Sequence, residues 1–267
     1  MILEVTDISK WITDNEQFFV PPVCNKLLHN KGQLKIFFAG GPNQRTDFHL
    51  EEGEEVFLLP GRIPHSPQRQ ANTIGFVAER DRKPEELDCL RYFVDNTTEV
   101  LFERWFYCED LGRQLAPIIQ EYIESQQYKT GLPVPGTITE TPPFKPDNQR
   151  SLEAPFSLRK WIDNNIEEIN RTGYKQLFEG RYESKVFIIG LGQQTRSSSH
   201  AETFLWQWAG MAQVEVDNHI YKLKEDHSML IPIGKTWIIR NEAGALTLSL
   251  AIDPCSKPTF GCGTDDG

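Results

Sequence analysis

The chain has 267 residues, 39% of them hydrophobic and 25% charged, which is enough to bury a sizeable core in one or two ordinary globular domains. A formal net charge of -10 without a strong basic cluster argues against nucleic acid or an anionic membrane as partner, since nothing would neutralise the phosphates. No stretch approaches a membrane span, and MILEVTDISKW lacks the basic opening and apolar run of a signal peptide, so a cytosolic protein is expected.

ISKWITDN at 8–15 sets Ile8, Trp11 and Ile12 at helical spacing and predicts a short amphipathic helix. His29, in LLHNKG, reads as a turn residue. KIFFAGG at 35–41 and GFVAE at 75–79 read as strands. TEVLFERWFYC at 98–108 is aromatic and β-prone, a core strand rather than a binding platform. In LAPIIQEYI, Leu115, Ile118, Ile119, Tyr122 and Ile123 fall at i, i+3, i+4, i+7 and i+8, a helix with Pro117 tolerated near its first turn. The proline-rich, polar stretch at 133–155 reads as a linker.

The second half repeats the first. LRKWIDNN at 158–165 matches ISKWITDN, and KVFIIGL at 185–191 matches KIFFAGG, both at an offset of 150. Two related domains, one behind the other, account for this. Further on the register splits. EVFLLPGRIPH at 55–65 lies on TFL at 203–205 when Glu55 is set against Thr203, an offset of 148, and on LIPIGKTW at 230–237 when Pro60 is set against Pro232, an offset of 172. The 24 intervening residues, 206–229, alternate like two or three strands with a turn at Asp217-Asn218. In the first half Phe57 runs straight into Leu58, so a sheet segment present in the second half is missing there.

Residues 41–69 hold His49, Glu55 and His65, flanked by Arg45 and Arg69. Two imidazoles and one carboxylate are the ligand set of a non-haem Fe(II) oxygenase, with open positions for substrate and dioxygen. Guanidinium forks suit a bound carboxylate, although Arg45 and Arg69 could equally be surface salt-bridge partners. Glu79 ends an apolar run and could accept a hydrogen bond from a substrate amine or hydroxyl, or shuttle a proton. The plainer alternative makes His49 and His65 solvated loop histidines. The second repeat weighs against it: Thr203 and Trp237 stand where the first has Glu55 and His65, as in a copy that keeps the scaffold and discards the ligands. His200, His219 and His227 do not rebuild the trio and read as exposed. Five scattered cysteines without a CxxC pair read as reduced thiols. For the Gly-rich tail that carries Cys255 and Cys262, a redox or metal role is only a weak reading.

The strings PPVCNKLLHN, GGPNQRTDFHLEEGEEVF, LLPGRIPHSPQR, LRYFVDN and WFYCEDLGRQLAPIIQEY, between residues 21 and 122, resemble the 3-hydroxyanthranilate 3,4-dioxygenase family. The resemblance covers the first half and, more loosely, the second. It implies a mainly β chain of two tandem cupin (jelly-roll) domains with short flanking helices: a catalytic domain at 1–134, a linker at 135–151 and a degenerate domain at 152–267 without metal ligands, in a monomer. It implies Fe(2+) on His49, Glu55 and His65, with Arg45 beside dioxygen. Arg69 and Glu79 would bind 3-hydroxyanthranilate, with Glu55 against the substrate and Asn25 a pocket residue. Arg45, Glu55 and Glu79 are the implied catalytic groups. The implied reaction is extradiol-type ring cleavage with dioxygen to 2-amino-3-carboxymuconate semialdehyde, on the kynurenine route to quinolinate and NAD, with no organic cofactor. Family members carry about 28 residues between the equivalents of Phe57 and Leu58, so the first barrel is incomplete here and its sheet edges are uncovered. A tight hairpin at Pro60-Gly61 would set Val56 opposite His65 and bring Glu55 near it. The pocket wall would still be lacking, so strongly reduced turnover is expected, leaving a binding or regulatory cupin as the alternative. An isomerase or hydrolase using the same trio with another ion is a third reading.

Overall fold

The computed structural model describes residues 2–20, 24–42, 55–56, 58–59, 62–66, 69–109, 111–147, 152–178 and 182–256, with 55, 56, 111 and 112 described by backbone. In chain order the elements are β1 (Val5–Asp7), α1 (Ile8–Asp14), β2 (Asn25–His29), β3 (Leu34–Gly40), β4 (Glu55–Val56), β5 (Ile74–Arg80), β6 (Asp88–Phe93), β7 (Val100–Phe106), α2 (Leu111–Glu124) and α3 (Gln126–Thr130). After residue 151 come β8 (Phe156–Ser157), α4 (Leu158–Thr172), β9 (Tyr174–Gln176), β10 (Ser184–Ile189), β11 (Gly192–Ser197), β12 (Thr203–Ala209), β13 (Ala212–Val216), β14 (His219–Leu223), β15 (His227–Ile231), β16 (Thr236–Asn241) and β17 (Leu246–Ile252). The chain is mainly β. No helix among the described residues is long and apolar enough to cross a membrane.

Two compact units result. One takes the described residues of Met1–Leu59, Pro67–Arg80 and Leu152–Gly267, the other those of Pro60–Ser66 and Asp81–Ser151. The first unit is built on an antiparallel six-stranded sheet, β1-β15-β12-β17-β10-β9, and a four-stranded sheet, β11-β16-β13-β14. Strand alternation sends Ile189, Leu205, Met229 and Ile231 of the larger sheet towards Val214, Val216, Trp237 and Ile239 of the smaller, forming one core. Val186, Ile188, Phe204, Leu248 and Leu250 point the other way. There they meet Leu34 and Ile36 of β3 and Leu158, Ile162 and Ile169 of α4 in a second core. The six-stranded sheet is thus covered on both faces.

The three-stranded sheet β2-β3-β5 is held there by aromatic rings. Phe76 stacks on Phe204 with centroids 5.7 Å apart, Phe38 meets Trp206 edge-on at 6.2 Å, and Trp11 of α1 lies 5.7 Å from Phe38. Such pairs contribute about 0.5–1.5 kcal/mol each beyond their burial. Asp226 fastens α1 to the same place: it accepts from the Ser9 N–H at 3.0 Å and from Trp206 Nε1 at 2.9 Å.

The repeat is visible in detail. Ile8 and Leu158 are both buried. Asp7 caps α1 through the Lys10 N–H, and Ser157 caps α4 through the Lys160 N–H. Asn15 donates to the Trp11 carbonyl at 2.8 Å as Asn165 does to that of Trp161 at 2.7 Å. In the β3–β5 pair Leu34 faces Arg80, and in the β10–β17 pair Ser184 faces Ile252. The first partner is displaced by 150 and the second by 172, the two offsets read from the sequence. Asp217 and Asn218 adopt φ of 48° and 61°, which suits the two-residue turn joining β13 and β14.

In the second unit β6 and β7 form a hairpin. Tyr92 stacks on Tyr122 of α2 at 3.6 Å, and the nearly buried Glu103 pairs with Arg91 at 2.7 Å. Burial, with Glu103 adding to it, pushes the Cys89 thiol up to about 11.

Two expectations change. Because α2 begins at Leu111, Pro117 lies inside the helix rather than in its first turn. His29 lies on β2 with its ring 5.8 Å from Phe204, and His227 is half-buried on β15, because edge pairing draws both into strands. The first-half strands β2, β3 and β5 share a unit with the second half, since Leu34 and Ile36 have their core there.

Two outcomes test this packing. Phe204→Ala should lower stability by about 3–5 kcal/mol in urea denaturation. Burial lowers the His29 pKa below its usual 6.5, so the folded chain binds that proton less readily than the unfolded one and stability falls as pH drops through about 6.5. His29→Phe should therefore show a shallower loss of urea midpoint between about pH 7 and pH 5 than the unchanged chain.

Candidate metal and substrate site

Arg45 and His49 lie outside the described residues, as does the side chain of Glu55. Asn25, Arg69 and Glu79 belong with the backbone of Glu55 to the first unit, and His65 to the second. One face of the β2-β3-β5 sheet is the core face of Leu34, Ile36 and Phe38. Asn25 pairs with Ala39, and Ala39 with Gly75; two residues on, Leu27 faces Phe37 and Phe37 faces Val77; Lys35 faces Glu79. Paired residues project to the same side, so Asn25, Leu27, Phe37, Val77 and Glu79 share the opposite, half-buried face.

Arg69 completes that face. A Cβ at Gly75 would lie 3.1 Å from Arg69 Nε, so the missing side chain leaves room for the guanidinium over the strand. Arg69 and Asn25 are therefore at one end of the sheet. Glu79 is four residues along β5, roughly 13 Å away. Between them Leu27, Phe37 and Val77 make an apolar strip. Asn25, Arg69 and Glu79 each have a polar or electrostatic partner. A flat ring bearing a carboxylate would find apolar surface, a cation at one end and a carboxylate at the other.

Cys24 precedes Asn25 in the left-handed region, φ 57°. Burial raises its thiol pKa, and the nearby Arg69 charge opposes the rise. Sequence reading singled out Asn25, Arg69 and Glu79 but missed Cys24, Leu27 and Phe37; the two-residue alternation along β2, β3 and β5 was the signal that could have found the latter two.

Glu55 is not where the repeat would put it. In the second half Thr203 faces Ala251, and by the two offsets this sets Glu55 opposite Glu79. In the structure β4 pairs instead with β8, Glu55 facing Ser157 and Val56 facing Phe156. Asp7 and Thr6 stand in the same relation to His227 and Ser228 of β15. Glu55 and Val56 have thus taken the slot of β15, not that of β12. Leu58 packs on the core with Leu34 and Phe204 as its counterpart Leu230 does, and with no residues between Phe57 and Leu58 to spare, the preceding pair is drawn into the same frame. The free groups of β8 gain a partner, while β5 keeps an edge that no described strand covers.

His65 is exposed, and its Nδ1 lies 2.9 Å from the Ile63 carbonyl. A carbonyl only accepts, so Nδ1 is the donor in this contact, and in the neutral ring Nε2 then holds the lone pair, the arrangement common for ligating imidazoles. Residues 62–66 form no strand, whereas the matching Trp237 sits in β16 between β11 and β13. The flanking strand β13 belongs to the segment without a counterpart in the first half.

The family described as 3-hydroxyanthranilic acid dioxygenase matches residues 1–58 and 54–123, in two stretches. The bovine 3-hydroxyanthranilate 3,4-dioxygenase is 43% identical over 282 positions, spanning 95% of this chain and 98% of the bovine one. Its human counterpart is 42% identical over 94% of this chain and 97% of its own. That of Nematostella vectensis is 40% identical, over 91% and 97%. Since 95% of 267 is about 254, some 28 of the 282 aligned positions have no residue of this chain. Among solved structures, the Schizosaccharomyces pombe Cnp3 cupin domain overlays with a TM-score of 0.25 at 20% identity, covering 29% of this chain and 61% of that one.

The Arg69 placement is open to test through Cys24. Arg69→Gln removes the opposing charge, so the thiol pKa should rise further and alkylation of the Cys24 peptide at fixed pH should slow by a few-fold, followed by mass spectrometry. An unchanged pH–rate profile would contradict the placement.

Proposed function

The chain belongs to the 3-hydroxyanthranilic acid dioxygenase family, and on that premise we propose that it is a ring-cleaving enzyme of 3-hydroxyanthranilate, using dioxygen and a metal cofactor. Near-full-length identity to the bovine, human and anemone dioxygenases carries this reading. The fold is the tandem cupin type, with 1–134 and 152–267 as the two modules and 135–151 as linker. The ion we assign is Fe(II), on His49, Glu55 and His65. The Nε2 lone pair of His65 and the mixed imidazole–carboxylate donor set suit it. Bound Fe(II) would supply exchangeable positions at which substrate and dioxygen meet.

The chain's own residues hold the ring. Arg69 receives the substrate carboxylate as a planar, two-pronged donor, which lysine would not reproduce. Leu27, Phe37 and Val77 offer the ring an apolar strip, and Asn25 a hydrogen-bonding group at the Arg69 end. Glu79 accepts from the substrate amine or hydroxyl and moves a proton during cleavage. Arg45 attends dioxygen, and Glu55 contacts the substrate as well as the ion. The product is 2-amino-3-carboxymuconate semialdehyde, on the kynurenine route to quinolinate and NAD. We assign a cytosolic monomer without an organic cofactor.

The position of β4 favours a second reading, a catalytically impaired form that acts as a binding or regulatory cupin. With Glu55 opposite Ser157 rather than Glu79, the carboxylate ligand is drawn from the strand that carries the substrate groups. Misplacing a reacting group by about 1 Å already costs about 10²-fold in rate.

Oxygen uptake with 3-hydroxyanthranilate in iron-loaded protein, measured beside the bovine enzyme, should therefore be lower by about 10²-fold or more. Inserting the bovine segment between Phe57 and Leu58 should recover most of the difference. Equal rates without the insertion would remove the impaired reading. No ring cleavage even with the insertion would remove the dioxygenase one.

A further inference from the structure

At one end of the six-stranded sheet β12 begins beside the end of β17, with Thr203 facing Ala251. Carried beyond the strands, this pairing brings the loop after β11 against the turn after β17. Ser198 holds the loop: its Oγ accepts from the Ala201 N–H at 3.0 Å and its carbonyl from the Gly234 N–H at 2.7 Å. Asp253 holds the turn, accepting from the Cys255 N–H at 2.9 Å and from Ser256 Oγ at 3.2 Å. A ring nitrogen of His200, a carboxylate oxygen of Asp253 and Cys255 Sγ consequently lie within 4.8 Å of one another. His200 and Cys255 are exposed and Asp253 is half-buried.

Imidazole, carboxylate and thiolate together suit a borderline-soft ion. Calcium and magnesium favour all-oxygen sites, whereas zinc takes all three donor types. Adjacent nitrogen and sulfur ligands of tetrahedral zinc are about 3.6 Å apart, from the usual Zn–N and Zn–S lengths. Closing the rest of the gap calls for movement of the exposed His200 and Cys255 side chains, His200 Nδ1 lying 3.2 Å from Ser199 Oγ as it stands. The geometry points to a second metal site, for zinc or a zinc-like divalent ion, formed by His200, Asp253 and Cys255 with water in the fourth position. It shares no residue with His49, Glu55 and His65. It would clasp the end of β17 to the β11–β12 loop.

Cobalt(II) is the probe, because a thiolate–cobalt bond gives a near-ultraviolet charge-transfer band that a site without sulfur cannot. In the reduced full-length protein the band should saturate at one cobalt per chain and be displaced by zinc. It should vanish in Cys255→Ser and need at least about tenfold more cobalt in His200→Ala. Cys255→His should bind zinc without the band. The melting temperatures of the metal-free variants should match the unchanged chain, since the altered side chains are exposed, and zinc should raise that of the unchanged chain alone among it, Cys255→Ser and His200→Ala. Absence of the band, or a band of unchanged affinity in either single variant, would overturn the site.

Discussion

Everything in the first unit depends on one sheet being buried from both sides. The strands β10, β12, β15 and β17 alternate so that Leu205, Met229 and Ile231 enter the core shared with the four-stranded sheet, while Phe204, Ile188 and Leu250 enter the core shared with α4 and β3. A strand buried on both faces has no polar side to spare, and TFLWQWA in β12 shows it: only Gln207 breaks the run, and its amide is satisfied by the Ala209 carbonyl at 2.9 Å. The β2-β3-β5 sheet gains its stability by lying on this surface, through Phe38 and Phe76 on Phe204 and Trp206. One face of the small sheet is therefore committed to the core, and the other is left to carry Asn25, Arg69 and Glu79.

The same dependence explains how the first half keeps order although Phe57 runs straight into Leu58. Its remaining strands do not need to close on themselves, because a ready-made hydrophobic floor receives them. The β3–β5 register is kept to the residue against that of β10 and β17. What is not kept is the wall. Strands equivalent to β13 and β14 have no residues to form them, and Glu55 and Val56 fall into the slot of β15, where β8 offers unpaired backbone groups. Backbone pairing and the anchoring of Leu58 decide where this pair goes.

The candidate site divides accordingly. On the free face of the small sheet lie a guanidinium over Gly75, an apolar strip and the Glu79 carboxyl. Glu55 faces Ser157 on β8 rather than Glu79 on β5, because its position depends on the strands that flank it and not on its own neighbours in sequence. In the second half Trp237 is buried in β16 at the position whose counterpart is His65.

The sequence by itself determined the two repeats, the helices at their starts, the strands β3, β5, β7 and β10, and the family. Local periodicity, caps and long matching strings carry that information without any knowledge of contacts. The matching segments around Trp11 and Trp161 form equivalent helices, and in the structure Asn15 and Asn165 make equivalent hydrogen bonds. Only the tertiary structure decided that His29 lies on a strand against Phe204, that Pro117 is interior to its helix, and that His200 approaches Asp253 and Cys255. It also decided that Glu55 faces Ser157 instead of Glu79. Apart from Pro117, whose place follows from the start of α2 at Leu111, each of these turns on pairing between segments distant in the chain, where a shift in one partner changes the neighbour without changing the local pattern.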